Sequence, residues 1–551
     1  MRVEADLSVP VRDGCRLSLD VFLPDGNGPV PALLAMSPYG KEIQTLPVRP
    51  QPVESSVYRR SIEAGDPRML TAAGYAHVVA DVRGVGKSEG SYRGWMSAEE
   101  GRDGHDLVEW IAAQPWCDGN VGMVGVSYYG TVQLNVAATR PPHLRAIMPW
   151  NAPADFYREA THHGGIRQAF MWILYGLGIR GRTTVTSREE FDEENFAALV
   201  AELAADSDLQ MYPDLYNTVV NPDRIPAYFD VLAHPLDGPF YHERSAYRRY
   251  EDIDIPCYFG SAWWAYAHMH LRGAFQNYNG IDATKRLRIG SRRSSEAPLP
   301  ESFNREAIRW YDHWLKGIDT GMLAEPPIQL YVMGANRFRA EAEWPLDRTQ
   351  WTKLHLRRWA GLALEPEEST GAPDIFVQQP PDETTDVASV SYTTGPLAAD
   401  TEITGPIALY LHASIDSEDA NWIVALSDVS PDGSSIELSR GFLKASHRAV
   451  DEERSLPWLP YHPHDRAEPV PPDEVVPYAI ELAPTSNVFR AGHRIRLDIT
   501  GADNPRNPGD EPELGFGHRP WHVVRSVSVV HSIYHEPEHP SHLLVPMIPH
   551  S

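Results

Sequence analysis

The chain contains few cysteines, no long apolar run and no basic cluster. Its three cysteines, Cys15, Cys117 and Cys257, lie far apart and in no metal-ligand spacing, which fits a reducing compartment without requiring one. No apolar stretch approaches 20 residues, and no charged-then-apolar leader opens the sequence, so we expect an unanchored cytoplasmic protein. The formal net charge is -26, which disfavours nucleic acid and anionic membrane as partners.

The composition is that of a globular protein. With 551 residues, of which 42% are hydrophobic and 23% charged, the chain is too long for one ordinary core, and two or three packed units are expected. A chain of this kind can bury a site for a small-molecule substrate, which is the partner we expect. The sequence leaves homo-oligomerisation open.

The pattern of apolar residues divides the chain into regions. Apolar runs alternating with helical stretches over residues 1–150 and 241–350 predict an α/β fold with a largely parallel sheet. Between them, residues 151–240 lose the strand pattern and carry acidic, helix-like stretches, so we expect a helical cap insertion. From 351 to 551, short β-type runs separated by loops rich in Pro, Asp and Gly predict an all-β sandwich of jelly-roll type.

The strongest local signal lies at residues 122–130, which read Gly-Met-Val-Gly-Val-Ser-Tyr-Tyr-Gly. An apolar strand that runs into small residues and a serine before a helix is typical of a strained turn that lifts the serine hydroxyl above the sheet. This pattern predicts Ser127 as a nucleophile. It also predicts that the backbone amide of Tyr128, at the start of the helix, donates to a tetrahedral oxyanion.

The variant Gly-Val-Ser-Tyr-Tyr-Gly resembles the elbow of the cocaine-esterase, X-Pro dipeptidyl-peptidase and α-amino-acid ester hydrolase family (CocE/NonD type). Further matches span nearly the whole chain, among them VPVRDGCRLSLDVFLPDG, LLAMSPYGK, DVRGVGKSEG, RWYDHWLKGIDTG and HPSHLLVPMIP. The resemblance implies a serine α/β-hydrolase domain, a helical cap and a C-terminal jelly roll, acting on acyl esters or amides without a cofactor. It also implies that Tyr39, in SPYGK, supplies the second oxyanion donor, with packing under the cap as the alternative interpretation.

The resemblance fails where the other two members of a catalytic triad are expected. In this fold an acid follows one late strand and a histidine follows the next. The family shows Gly-Trp-Tyr-Asp at the first place, where this chain reads Ala-Trp-Trp-Ala, and Gly-Pro-Trp before the histidine at the second, where it reads Ser-Arg-Arg-Ser. Ala265 and Ser294 therefore occupy degenerate triad positions. Without a base, oxyanion donors and substrate binding alone accelerate the reaction by on the order of 10³- to 10⁴-fold over the rate in water.

Two histidines close to the lost acid offer a replacement base. His268 and His270 lie in AYAHMHLRGAF, and either could reach Ser127, although histidines near a helix start are more often exposed or satisfied in a core. A metal site formed by these two with His162 or His163 is disfavoured, because no carboxylate or cysteine at matching spacing completes it. We interpret His162 and His163, in THHGG, as structural residues.

Three functions remain open from the sequence. The favoured one is an enzyme, a hydrolase or acyl transferase, with a rewired or repurposed mechanism that uses Ser127, Tyr39 and the Tyr128 amide. The second is a catalytically inert pseudo-hydrolase that acts as a binding protein. The third is a conventional hydrolase whose triad partners lie elsewhere in the chain. The substrate is not readable from the sequence, because caps and loops select it.

Overall fold

A computed structural model describes residues 1–26, 28–44, 63–173, 179, 181–263, 267–291, 301–381, 387–503 and 522–549, without the side chains at 43, 170, 173, 267, 268 and 301. The strands of this part are β1 Arg2–Pro10, β2 Arg16–Leu23, β3 Val30–Ser37, β4 Ala76–Asp81, β5 Cys117–Met123, β6 Leu144–Ile147, β7 His162–His163, β8 Ile166–Arg167, β9 Cys257–Ala262, β10 Lys285–Gly290, β11 Ile328–Val332, β12 Arg337–Glu341, β13 Gln350–Arg357, β14 Gly361–Ala363, β15 Asp374–Gln378, β16 Ser389–Thr393, β17 Thr401–Ile415, β18 Asn421–Val429, β19 Ser435–Lys444, β20 Val476–Phe489, β21 Arg494–Thr500, β22 Val529–Tyr534 and β23 His542–Ile548.

The α-helices of the same part are Lys41–Gln44, Pro67–Ala72, Ala98–Ala112, Tyr128–Ala137, Phe170–Ile173, Glu193–Ala205, Ser207–Gln210, Pro213–Val220, Pro226–Ala233, Pro239–Arg244, Arg272–Gly280 and Glu301–Lys316. Two π-helical turns, Phe156–Thr161 and Ala267–Leu271, and several short 3₁₀ turns complete the helical structure of this part.

The first sheet is mixed and has the order β1-β2-β4-β3-β5-β6-β9-β10-β11-β12. Neighbours from β4 through β3, β5, β6, β9 and β10 to β11 are parallel, whereas the strands at both edges are antiparallel. Every residue of β4 and β9 is buried, as expected for parallel strands covered on both faces. Because parallel strands end at one edge, the turns after β3, β5 and β9 lie on the same side of the sheet.

Helices cover both faces of this sheet. Leu107 and Val132, from Ala98–Ala112 and Tyr128–Ala137, belong to one apolar core, whereas Trp310 and Tyr311, from Glu301–Lys316, belong to the other. Residues 151–252 contribute the two-stranded β7–β8 sheet and a run of short helices. The described part of residues 151–240, for which we expect a helical cap, is mostly helical outside these two strands.

The second sheet is antiparallel apart from the contact between β14 and β16, and it carries an apolar core of its own. Its order is β15-β22-β17-β20-β19-β18-β21-β16-β14-β13-β23. An additional pairing of β17 with β23 closes the strands from β17 to β23 into a ring, and β22 and β15 extend from β17 outside it. The change of sheet falls between β12, which ends at Glu341, and β13, which begins at Gln350. The all-β character predicted for the C-terminal region is therefore present.

Candidate active site

Ser127 lies on a strained turn between β5 and the helix Tyr128–Ala137. Its backbone has φ 58 and ψ -118, which is unusual for a residue with a Cβ. Its amide donates to the carbonyl oxygen of Trp150 at 3.0 Å, which fixes the turn against the neighbouring chain. All residues from 121 to 130 are buried except Ser127, which is partly exposed. The turn therefore presents this one side chain at the carboxyl edge of the sheet.

The glycines on either side of the turn are required by space. A Cβ on Gly125, whose φ is 137, would overlap the side chain of Tyr129 and lie 2.9 Å from the carbonyl oxygen of Glu63. A Cβ on Gly130 would overlap the carbonyl oxygen of Trp150. The Gly-x-Ser-x-x-Gly pattern is therefore a packing requirement of the turn.

His270 is the imidazole beside the serine. Its Nε2 lies 3.2 Å from Ser127 Oγ, at the outer limit for a hydrogen bond between a hydroxyl and an imidazole. It comes from the π-helical turn Ala267–Leu271 that follows β9, so it reaches the serine from a strand end on the same edge of the sheet. The side chain is buried, and burial lowers the pKa of His270 to about 3. The imidazole is therefore neutral at neutral pH and can accept the hydroxyl proton.

Tyr39 lies at the carboxyl end of β3, the strand that pairs with β5. It is partly buried, and its ring meets the ring of Tyr128 edge-on, with centroids 5.6 Å apart. Tyr128 is the first residue of its helix, so its N–H has no acceptor within that helix. The two proposed oxyanion donors thus follow neighbouring strands, β3 and β5, and their aromatic rings are in contact.

The Tyr128 side chain ends in a buried polar group. Its hydroxyl donates to Glu100 Oε2 at 2.6 Å and lies 3.2 Å from the Tyr92 hydroxyl. The Met96 amide donates to the same hydroxyl at 3.4 Å. Burial raises the pKa of Glu100 to about 8, so its carboxyl group is largely protonated at neutral pH.

Sequence reasoning did not select Glu100, although a signal was present. On the helix Ala98–Ala112 the buried positions include Glu100, Asp103, Leu107 and Ile111. Glu100 therefore shares the spacing of the apolar face. An acid on a buried face needs a polar partner, and nothing in the sequence identifies Tyr128 as that partner.

The histidines of THHGG lie between the cap and the second sheet. His163 Nδ1 and His522 Nε2 are 2.8 Å apart, and His522 Nδ1 lies 2.8 Å from Asp503 Oδ2. A Cβ on Gly164 would overlap the backbone carbonyl of Phe442 in β19. In this structure the motif packs the cap against the C-terminal region.

Two of the candidate residues and one candidate side chain are not among the described parts of the chain. Ala265 and Ser294 lie outside the described residues, as does the side chain of His268. Among the side chains that the structure describes, no group of three or more His, Cys, Asp or Glu residues is arranged to hold a metal ion. Within the same part of the chain, no helix is long and apolar enough to cross a membrane.

Solved structures with the same fold are hydrolases. A CocE/NonD family hydrolase from Staphylococcus aureus superposes with a TM-score of 0.79 at 24% identity, covering 99% of this chain and 94% of that one. An aminopeptidase from a marine sediment Thaumarchaeota archaeon superposes with a TM-score of 0.76 at 19% identity, covering 100% and 96%. The chain therefore has the CocE/NonD-type hydrolase fold with a C-terminal β domain.

The family of the chain is shown by matches between its sequence and models of known protein families. Residues 13–293 match the X-Pro dipeptidyl-peptidase (S15 family) model, and residues 320–544 match the X-Pro dipeptidyl-peptidase C-terminal non-catalytic domain. The cocaine esterase of Rhodococcus sp. (strain MB1 Bresler) is 27% identical over 99% of this chain and 98% of its own length. The chain belongs to the X-Pro dipeptidyl-peptidase (S15) family. Its relatives in this family are named as esterases and dipeptidyl-peptidases, which are hydrolases.

Proposed function

We propose that this protein is a serine hydrolase with a rewired base, which cleaves an acyl ester or amide through Ser127 and His270. The observation that carries the proposal is the 3.2 Å approach of His270 Nε2 to Ser127 Oγ on a strained strand-to-helix turn. A nucleophile and a base within hydrogen-bond reach are the minimum for this chemistry. The names of its relatives, cocaine esterase and X-Pro dipeptidyl-peptidase, support an acyl substrate.

In the proposed reaction Ser127 is first acylated, and the acyl group is then released by water. Ser127 Oγ attacks the carbonyl carbon while His270 Nε2 takes the hydroxyl proton, and the negative charge that develops on the carbonyl oxygen is held by the Tyr39 hydroxyl and the Tyr128 amide. His270 then returns the proton to the leaving oxygen or nitrogen, which leaves an acyl group on Ser127. A water molecule, deprotonated by His270, releases the acyl group by the same path in reverse.

Burial makes His270 a weak base. The imidazolium that forms during attack is disfavoured, because burial lowers the pKa of His270 to about 3, whereas a base with a pKa near the working pH is most effective. The resemblance assigns the family's acid position to Ala265, and an acid at that position would stabilise an imidazolium. We therefore propose turnover slower than that of a conventional Ser-His-Asp enzyme, with no cofactor in the reaction.

We further propose a division into domains for this reaction. An α/β-hydrolase domain comprises residues 1–150 and 241–350, the cap comprises 151–240, and a jelly roll comprises 351–551. The sheet change between Glu341 and Gln350 supports the last boundary. The parallel order around β3, β5 and β9, with the serine turn after β5, supports the α/β-hydrolase assignment.

Covalent labelling tests the function. A fluorophosphonate probe should label the wild-type protein, the Ser127→Ala variant should not be labelled, and His270→Gln should slow labelling and ester hydrolysis by about 10²- to 10⁴-fold. His268→Gln separates the two candidate bases and should have little effect. His143→Gln, at a half-exposed histidine paired with Glu109, is the matched control. Labelling that survives Ser127→Ala contradicts the proposal.

Two further outcomes separate the alternatives. Unchanged kinetics in His270→Gln would exclude His270 as the base. No labelling or hydrolysis by the wild-type protein, with activity created by Ala265→Asp combined with Ser294→His, would favour the inert pseudo-hydrolase.

A further inference from the structure

The Tyr128 ring connects the two proposed oxyanion donors. Its own backbone amide is one donor, and its ring carries the edge-on contact with Tyr39, the other donor. On another side the ring stacks on Trp95, with centroids 5.5 Å apart and planes inclined by 26°. A rotation of the Tyr128 ring would therefore change the packing of Tyr39.

The hydroxyl of Tyr128 fixes the orientation of this ring. It donates to Glu100 at 2.6 Å and accepts from the Met96 amide at 3.4 Å, and all three residues are at most 3% exposed. A buried phenol in such a group cannot move to water to replace these partners. The ring is therefore held by its hydroxyl's partners, which also include the Tyr92 hydroxyl at 3.2 Å, and Glu100 makes the shortest of these contacts.

Glu100 is itself held firmly. It lies in the first turn of Ala98–Ala112, and the next residue, Gly101, packs so closely that a Cβ would lie 2.9 Å from the carbonyl oxygen of Asn135 in the serine helix. A Cβ on Gly104 would overlap Val136 of the same helix. The two helices cannot slide without a clash, so the carboxyl group of Glu100 keeps a fixed position relative to the helix that Tyr128 begins.

We propose that Glu100 and the phenol of Tyr128 are positioning residues of the oxyanion hole, which aim the Tyr39 hydroxyl by fixing the ring that Tyr39 packs against. The inference rests on the proposed function, because it assigns a role within that reaction. Neither side chain touches the substrate; both act through Tyr39. Donors to an oxyanion must be held within about 0.5 Å to be effective, which is the accuracy that a packed ring with a fixed hydroxyl provides.

The main test is a double-mutant cycle on the full chain with a neutral phenyl ester. Tyr128→Phe should lower kcat by about 10- to 100-fold, with KM changed less than about twofold, because the loss falls in the transition state. In a Tyr39→Phe background the same change should cost less than about threefold, because the donor it aims is absent. Equal losses in both backgrounds, or no loss of kcat, would overturn the inference.

A second pair of variants separates positioning from general stability. Glu100→Gln keeps an acceptor for the phenol and should retain kcat within about threefold. Glu100→Leu removes the acceptor and should lower kcat by about 10- to 100-fold, as Tyr128→Phe does. Tyr75→Phe is the matched control, since this buried tyrosine donates to Asp312 at the same 2.6 Å on the other face of the sheet. It should leave kcat unchanged.

The outcomes for the two proposals differ. If the wild-type protein neither labels nor hydrolyses, the proposed function fails and this inference fails with it. If the wild-type protein is active and Glu100→Leu matches it in kcat, only the inference fails.

Discussion

Lowering the pH from 8 to 5.5 should leave kcat/KM nearly unchanged. This parameter reports the ionisation of the free enzyme's base, which is His270 in the proposed reaction. Burial of its side chain lowers the pKa of His270 to about 3 from the ordinary 6.5. An ordinary histidine would be only about 9% neutral at pH 5.5, whereas His270 would stay more than about 99% neutral. An exposed base would therefore lose about tenfold in this range, and this enzyme should not.

The assay uses an ester without ionisable groups, so that the substrate does not titrate, with product measured by chromatography. Folding must be checked by circular dichroism at each pH. Several buried histidines, among them His163 and His447, also have a lowered pKa. The unfolded chain therefore binds more protons than the folded one below about pH 6.5, and stability falls as the pH falls. The same pH series measured on the His270→Gln variant shows how much of the change in kcat/KM comes from groups other than this histidine.

A single result would refute the reasoning. If kcat/KM of the folded protein declines below an apparent pKa near 6.5, and the decline is absent in His270→Gln, His270 is not desolvated in the working enzyme. The neutral, weakly basic imidazole of the proposed mechanism would then be wrong.

Three further predictions concern stability, each measured by urea unfolding. Gly130→Ala forces a Cβ into a backbone carbonyl and should cost about 3 kcal/mol or more, whereas Gly395→Ala, with open space around it, should cost less than about 1 kcal/mol; equal costs would contradict the steric argument. Arg158→Met removes the guanidinium that pairs with two buried aspartates and should cost about 3–5 kcal/mol. Arg188→Met, at an exposed pair, should cost less than about 1 kcal/mol, and a similarly small loss for Arg158→Met would contradict the prediction. Burial raises the pKa of Glu100 to about 8 from 4.5, so the folded state holds a proton that the unfolded state loses, and the wild-type protein loses stability from this group as the pH rises from about 5 to 8. Glu100→Gln should therefore gain stability relative to wild type over that range, and a constant difference would disprove the assignment.

Local pattern predicted the elements that carry the serine, because their signals are local. The apolar runs of β3, β4 and β9 are buried strands, and in β5 the apolar end that leads into the serine turn is buried. The glycines around Ser127 are required by backbone overlap at the same positions, so the sequence string and the turn have one cause. The helix Glu301–Lys316 likewise follows its helical periodicity.

The partners of the serine were less accessible to sequence reasoning, because they depend on tertiary packing. His270 is 143 positions from Ser127, and its direction depends on the π-helical turn Ala267–Leu271, which widens the helix by one residue and has no sequence signature of its own. Periodicity alone therefore left His268 and His270 as equal candidates. Glu100 was overlooked for a related reason, since its partner Tyr128 lies on another helix.

The position of His270 also ties the chemistry to the docking of the other regions. The turn Ala267–Leu271 contacts β9 beneath it, the cap turn Phe156–Thr161, and strands β19 and β20 of the second sheet. Next to it, Arg272 donates to Glu481 of β20 at 3.0 Å. In a conventional triad, an acid holds the imidazole through a hydrogen bond to its second nitrogen. In this structure, packing from three regions of the chain surrounds the turn that carries the histidine. Such packing restricts the position of the imidazole ring, and the same burial lowers the pKa of His270 to about 3.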